Sequence, residues 1–193
     1  AKGSVLGFIN NDIEVMDASW LREMVGRACH AGTGAVGARL LYASGLVQHG
    51  GVILGIGGYA GHAHRFFDPR SAGYMGRLGC AHHVAAVTAA CLVVERSKFE
   101  AVGGFDADAF AVAYNDVDLC LKLRARGYDN LFTPHATLKH KESASRVRDY
   151  APERAAAYAR ECALLTERWG ALIADDPAYH PALTRTDETF SLL

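Results

Sequence analysis

The sequence predicts an α/β fold, a mixed sheet flanked by helices, on three observations. An apolar run, Val5-Leu6-Gly7-Phe8-Ile9, has the length and bulk of a buried strand and is followed at once by Asn10-Asn11-Asp12. Strand-like runs then alternate with stretches of helical period. An acidic step, Asn115-Asp116-Val117-Asp118, opens an amphipathic segment. Open α/β sheets gather ligands beyond the carboxyl ends of their strands, which is where these acidic groups fall.

Asp17 is placed to cap a helix over Ala18 to His30, with Trp20, Leu21, Met24, Val25 and Ala28 at helical spacing and Gly32 and Gly34 beyond it. Ala35 to Leu41 reads as a second strand and Ala43-Ser44-Gly45 as a turn. Leu46 to Leu54 reads as an extended stretch broken by Gly50-Gly51. From Gly55 to Arg77 the chain is rich in Gly, His and aromatic residues without periodicity, which predicts a long functional loop or lid. Val84 to Thr88 and Cys91 to Val94 read as strands. Ser97 and Glu100 form a capping-box pair for a short helix that Gly103-Gly104 stops.

Asn115 is the expected cap of the next helix, whose apolar face carries Val117, Cys120, Leu121 and Leu123 and which ends at Gly127. Two strands, Asn130 to Thr133 and Ala136 to Leu138, flank Pro134. Pro152 suits the first turn of a long helix ending near Gly170, with Ala155, Tyr158, Ala159, Cys162, Leu165 and Trp169 as its inward stripe and a packed tail after it.

Composition narrows the class. With 193 residues the chain suits one domain with a substantial core. We expect residues 1–150 to form the sheet core and active-site elements and residues 151–193 a helix and tail. A net charge of -1 with mixed signs gives no electrostatic footprint for nucleic acid. No run is long enough to span a membrane, and the start lacks a signal peptide's layout. The five cysteines are widely spaced without Cys-x-x-Cys, which predicts buried thiols in a reducing, cytoplasmic setting rather than disulfides or a zinc site.

Several ordered motifs carry a resemblance. Phe8 to Val15, with Asn10-Asn11-Asp12 at its centre, resembles the metal-binding acidic motif of family 2 glycosyltransferases. Val102-Gly103-Gly104-Phe105-Asp106 followed by Tyr114-Asn115-Asp116-Val117-Asp118 resembles their acceptor and base region. Thr133-Pro134-His135-Ala136 and His140-Lys141-Glu142-Ser143-Ala144-Ser145-Arg146 resemble the closing segment of the same domain. The likeness runs from about Gly3 to Trp169 and is strongest to bacterial enzymes that build rhamnose-containing and other surface polysaccharides.

The resemblance implies a GT-A fold, a Mn²⁺ or Mg²⁺ ion, and inverting transfer of a sugar from a nucleotide-sugar donor to a saccharide or lipid-linked saccharide acceptor. In that reading Asp12 and His140 hold the metal and Asp116 is the general base. Asn10, Asn11, His49, Gly104, Asn115, Asp118, Ser143 and Arg146 line the donor or acceptor sites. Asn10 and Asn11 stand where the family often has further aspartates. The family's N-terminal strands, which hold nucleobase and ribose, have no counterpart, so the likeness is to the later part of the catalytic domain. The sheet edge they would cover offers a surface for a homodimer. An enzyme working on lipid-linked acceptors would sit at the inner face of the cell membrane.

Blander readings stand beside these. Asn-Asn-Asp is ordinary turn chemistry. Asp116 and Asp118 suit a helix first turn on dipole grounds alone. His140 can be read as a strand-end histidine, and the histidines of Gln48-His49-Gly50-Gly51 and Gly61-His62-Ala63-His64-Arg65 read as acceptor-loop or lid residues rather than a zinc site. The alternative to an enzyme is a non-catalytic saccharide-binding or assembly module derived from the same fold.

Overall fold

The computed structural model describes residues 1–141 and 152–193, with side chains described outside 152–154. Nine strands and four helices follow in order: β1 (Val5–Ile9), β2 (Ile13–Val15), α1 (Trp20–Ala28), β3 (Thr33–Leu41), β4 (Val47–His49), β5 (Val52–Leu54), β6 (Ala60–His62), β7 (His82–Val84), β8 (Cys91–Glu95), α2 (Arg96–Ala101), α3 (Asn115–Ala125), β9 (Asp129–His140) and α4 (Pro152–Ala174).

The main sheet runs β1-β8-β3-β9-β2, with β4 added to β3 and β7 to β9, and β5 and β6 form a separate hairpin. The sheet is mixed: β3 and β9 are parallel, whereas β8 is antiparallel to both β1 and β3. β3 and β8 are buried nearly throughout, as strands covered on both faces must be. One face packs against α3 and the inner side of α4 through Leu119, Leu121, Leu123, Phe132 and Leu165. The other face receives Met24 and Ala28 of α1 against Val36, Ala38, Leu40 and Leu138. Gly37 lets the layers close, since a Cβ there would come within 2.5 Å of Val87.

A buried amide ties the layers together. Asn130 donates to the carbonyls of Ala85 and Cys120 and accepts from the N–H of Ala35. Its register places the start of β9 beside the end of α3, so that the far end, His140, reaches the level of the turn after β1.

Several sequence expectations are corrected. The first helix starts at Trp20, with Ser19 at the cap position and Asp17 accepting from the Ser19 N–H. Ser97 lies inside α2, whose cap position is Glu95, so Glu100 pairs with Arg96 rather than completing a capping box. Asn115 is the first residue of α3 and Tyr114 precedes it at φ 59°. Residues 130–140 form one strand whose register to β3 shifts at Ala38/Arg39, where the two strands expected around Pro134 join. Only the start of the expected strand over Val84 to Thr88 is regular.

The 55–77 stretch contains β6 and two single 3₁₀ turns rather than a structureless lid. α4 runs to Ala174, and its outward residues include Ala155, Tyr158 and Ala159, while Cys162 and Leu165 are buried. The tail packs as expected, with Tyr179, Leu183 and Phe190 against Ile53, Ile56 and Ala63. All five cysteines are free, but Cys29 and Cys80 are exposed. Among the described residues no helix is long and apolar enough to cross a membrane.

Candidate active site

β1 ends at Ile9, and the tight turn that follows carries Asn10, Asn11 and Asp12. β2 then pairs antiparallel with the last residues of β9, placing Ile13 opposite His140. That pairing brings the Asp12 Oδ1 to 3.1 Å from the His140 Nε2. The other ring nitrogen of His140, Nδ1, lies 2.8 Å from the Gln48 Oε1, and the Asn10 amide nitrogen lies 3.2 Å from Nε2.

The amide assignments fix a tautomer. Gln48 Oε1 accepts, so Nδ1 is the donor in that contact, and in the tautomer protonated there alone Nε2 presents its lone pair to Asp12. The Asn10 NH₂ donates towards that lone pair. Nε2 and the Asp12 carboxylate oxygen are then two acceptors meeting at 3.1 Å, an arrangement that calls for a proton or a cation between them. Neighbouring ligand atoms around an octahedral divalent ion with bonds of about 2.1 Å lie about 3 Å apart. The donor set therefore fits a hard or borderline metal. Among the described residues no group of three His, Cys, Asp or Glu side chains forms a complete cage. Such a pair suits an ion that takes its remaining ligands from water and substrate phosphates.

Asp116 sits in the first turn of α3. Its Oδ2 accepts from the Ala89 N–H at 3.0 Å and its Oδ1 from the Val117 N–H at 2.9 Å, so the carboxylate is held in one orientation. The loop before it is fixed from beneath. Buried Glu161 of α4 accepts from the consecutive N–H groups of Ala111, Val112 and Ala113 at 2.6–3.2 Å. The Tyr114 hydroxyl meets that of Tyr158 at 2.8 Å, and burial raises the Tyr114 phenol pKa well above the ordinary value.

A cleft of about 670 Å³ gathers these groups. Asn10, His140, Asn115 and Asp116 all line it, with Gln48, His62 and Arg65. Asp12 joins through His140. Thus His140 and Asp116 line one cleft, and Asp12, itself outside the lining, lies 3.1 Å from the His140 Nε2.

Other candidates lie elsewhere. Asn11 is exposed in the turn and is not among the residues lining the cleft. His49 is fully buried beneath the cleft, its Nδ1 3.2 Å from the Nδ1 of His62; burial holds its pKa well below the usual imidazole value, with His62 adding to the effect. Gly104 shapes a turn at φ +65°, where a Cβ would meet the Phe99 ring at 2.8 Å, and its carbonyl accepts from Lys122. Asp118 is fully buried, paired with Lys122 at 3.0 Å and Arg168 at 3.3 Å and accepting from the Trp169 indole at 3.0 Å. None of these three lines the cleft. Ser143 and Arg146 lie outside the described residues.

Glu161 has no place in the sequence reading of the site, and Gln48, read there as an acceptor-loop residue, instead accepts from His140. Glu161 had one signal: Ala111-Val112-Ala113 holds three amides and no side-chain acceptor of its own.

No protein-family model matches the chain. Among curated proteins it is 46% identical over 193 residues to the uncharacterized protein y4gI of Sinorhizobium fredii, covering 99% of this chain and 21% of that protein. It is 41% identical over 187 residues to the O-antigen biosynthesis protein RfbC of Myxococcus xanthus, covering 96% of this chain and 14% of that one. Over 85 residues it is 34% identical to the N-acetylglucosaminyl-diphospho-decaprenol L-rhamnosyltransferase of Mycobacterium tuberculosis, covering 44% of this chain and 27% of the enzyme. The chain thus spans well under a third of the length of each of these relatives.

Two solved structures resemble it in three dimensions. One is the mannosyltransferase PcManGT from Pyrobaculum calidifontis in complex with GDP-Man and Mn²⁺, with a TM-score of 0.53, 14% identity, and coverage of 91% of this chain and 46% of that one. The other is GalNAc-T7 with UDP, GalNAc and Mn²⁺, with a TM-score of 0.55, 12% identity, and coverage of 92% and 42%. Both neighbours are GT-A glycosyltransferases, and the fold expected from the motifs is the fold found.

Proposed function

We infer that this chain, glycosyltransferase-like in its sequence relatives and GT-A in its fold, is the metal- and acceptor-binding portion of an inverting glycosyltransferase that uses a nucleotide-sugar donor. The single observation that carries the reading is a cleft lined by both His140 and Asp116, with Asp12 beside the His140 ring.

In this reading Asp12 and His140 hold a divalent ion, with Mn²⁺ somewhat favoured over Mg²⁺ by the imidazole nitrogen. The bound ion would act as a Lewis acid that offsets charge on the departing diphosphate. Gln48 keeps the His140 lone pair on Nε2 and holds the ring in place. Asp116 takes the proton of an acceptor hydroxyl as that oxygen bonds to the anomeric carbon. The bond from that carbon to the diphosphate oxygen breaks with its electron pair leaving on the nucleoside diphosphate. One displacement with the base opposite the leaving group inverts the configuration. The two N–H groups on Asp116 keep its carboxylate aimed, and the loop fixed by Glu161 forms the wall beside it. The proposed acceptor is a saccharide, free or lipid-linked, as in surface-polysaccharide synthesis.

The test is a screen of nucleotide sugars with the full-length protein, reading nucleoside diphosphate release with and without saccharide acceptors and Mn²⁺ or Mg²⁺. Acceptor-dependent release that chelation abolishes supports the reading. A second reading is a saccharide-binding module of the same fold without catalysis. Saccharide binding with no release under any donor would favour that module.

A further inference from the structure

A cavity of about 900 Å³ lies at the opposite end of the sheet from the cleft. The cleft gathers the end of β9 and the start of α3, whereas this cavity takes the start of β9 at Asp129, the last turn of α3 at Arg124 and the tail after α4. The two share no lining residue. Its size is that of a small-molecule site.

Arg77 distinguishes it. Every other partly buried arginine among the described residues has a protein partner. Arg27 pairs with Glu23, Arg65 with Glu188, Arg96 with Glu100 and Arg124 with Asp129, while Arg39 and Arg185 donate to backbone carbonyls. Arg77 is half-buried and lines the cavity, yet its Nε is enclosed without a hydrogen-bond partner. Desolvation pulls its pKa below the ordinary guanidinium value, and Asp176 counters this electrostatically without forming an ion pair. A guanidinium stays charged in proteins, and a buried cation without a partner is costly.

The rest of the wall states what could meet it. Asp129 is engaged by Arg124 and His83, and Asp176 accepts from the N–H groups of Leu54 and Ala178. Exposed Asp175 also lines the cavity. An anion without sugar hydroxyls would meet these carboxylates with little to offset their repulsion, whereas sugar hydroxyl groups would donate to them. Tyr74 and Phe190, stacked at 5.0 Å between centroids, add an apolar flank suited to a sugar ring.

We propose that this cavity binds a sugar carrying one anionic group, a carboxylate or a phosphate, which pairs with Arg77 while the sugar hydroxyls face Asp175 and Asp176. The site is separate from the transfer site and does not depend on its assignment.

The test follows the Arg77 Nε–H resonance of the 193-residue chain by NMR during titration with D-glucuronate, D-glucose 6-phosphate, D-glucose and inorganic phosphate. The expected result is a saturable shift at about millimolar concentration for at least one anionic sugar. Neutral glucose and inorganic phosphate should bind about tenfold more weakly or not at all, and the tighter anionic sugar identifies the charged group. Arg77→Gln should lose about tenfold in affinity, with Arg77→Lys between it and the native chain. The melting temperature of Arg77→Gln should hold or rise, because the variant removes a half-buried charge whose Nε has no hydrogen-bond partner. No shift with either anionic sugar overturns the proposal. Equal binding of inorganic phosphate overturns the sugar assignment, and a marked fall in melting temperature would make Arg77 scaffold.

Discussion

Asp116 and Asp118 lie two residues apart on one helix and belong to different regions of the molecule. Asp116 faces the cleft, is held by two backbone N–H groups and borders a void of about 670 Å³. Asp118 faces α4 and is fully enclosed by Lys122, Arg168 and Trp169. The protein completes the surroundings of one carboxylate and leaves space before the other. Identical chemistry within one helical turn is therefore scaffold where side chains of the fold supply the partners and candidate machinery where a ligand must supply them.

This contrast can be broken or sharpened by substitution. Asp116→Asn in the full-length protein should lower transfer by about 10²–10⁴-fold, with an unchanged melting temperature and retained donor binding. Undiminished turnover would remove the base assignment. Asp118→Asn should do the reverse, destabilising the chain by about 1–3 kcal/mol because the fully buried carboxylate loses its charged bonds to Lys122 and Arg168. Chemical denaturation measures this, and a stability loss below 1 kcal/mol (roughly the worth of an exposed pair) would show that the anchor is not built as described.

Glu161→Gln tests how the two regions join. An amide cannot accept from three consecutive N–H groups without turning its own NH₂ towards them, so a loss of about 1–3 kcal/mol is expected. Reduced transfer should accompany it, since the loop leads directly to Asp116. Full activity in a stable variant would separate the loop from the site.

Acid sensitivity gives a graded effect, spread over several pH units. Desolvation lowers the His64 pKa from 6.5 to about 3 and the His82 pKa from 6.5 to about 4, and it also depresses His49. Above pH 6.5 these rings are neutral whether folded or unfolded. As pH falls from 6.5 towards 4, the unfolded chain takes up protons that the folded one refuses, so stability declines. Fully buried His64 alone contributes up to ~1.4 kcal/mol per pH unit. Denaturation midpoints that stay flat between pH 7 and 5 would contradict this.

The parts of the site legible in the sequence were those marked by local chemistry. The polar step Asn10-Asn11-Asp12 after an apolar strand, Asp116 at a helix mouth and His140 at a strand end all stand at periodicity boundaries. What joins distant segments was not legible. Gln48 reaches His140 across 92 positions, and only the pairing of β2 with β9 sets Asp12 beside it. The inward face of α4 was misassigned because helical period alone favours Tyr158 and Ala159 over Glu161, and only the unmet amides of residues 111–113 justify a buried glutamate. His49 and Asp118 looked like site residues because their types suit ligands, and burial removed them from the cleft.

The central claim is that Asp12 and His140 form one metal-holding pair beside Asp116. Titrating Mn²⁺ into the isotope-labelled 193-residue chain tests it most directly, since the paramagnetic ion broadens nearby resonances. Broadening should begin at Asp12, His140 and Asn10, extend next to Ala89 and Asp116, spare Arg77, and disappear in Asp12→Ala. Broadening centred on any other part of the molecule, or unchanged by that substitution, would contradict the account.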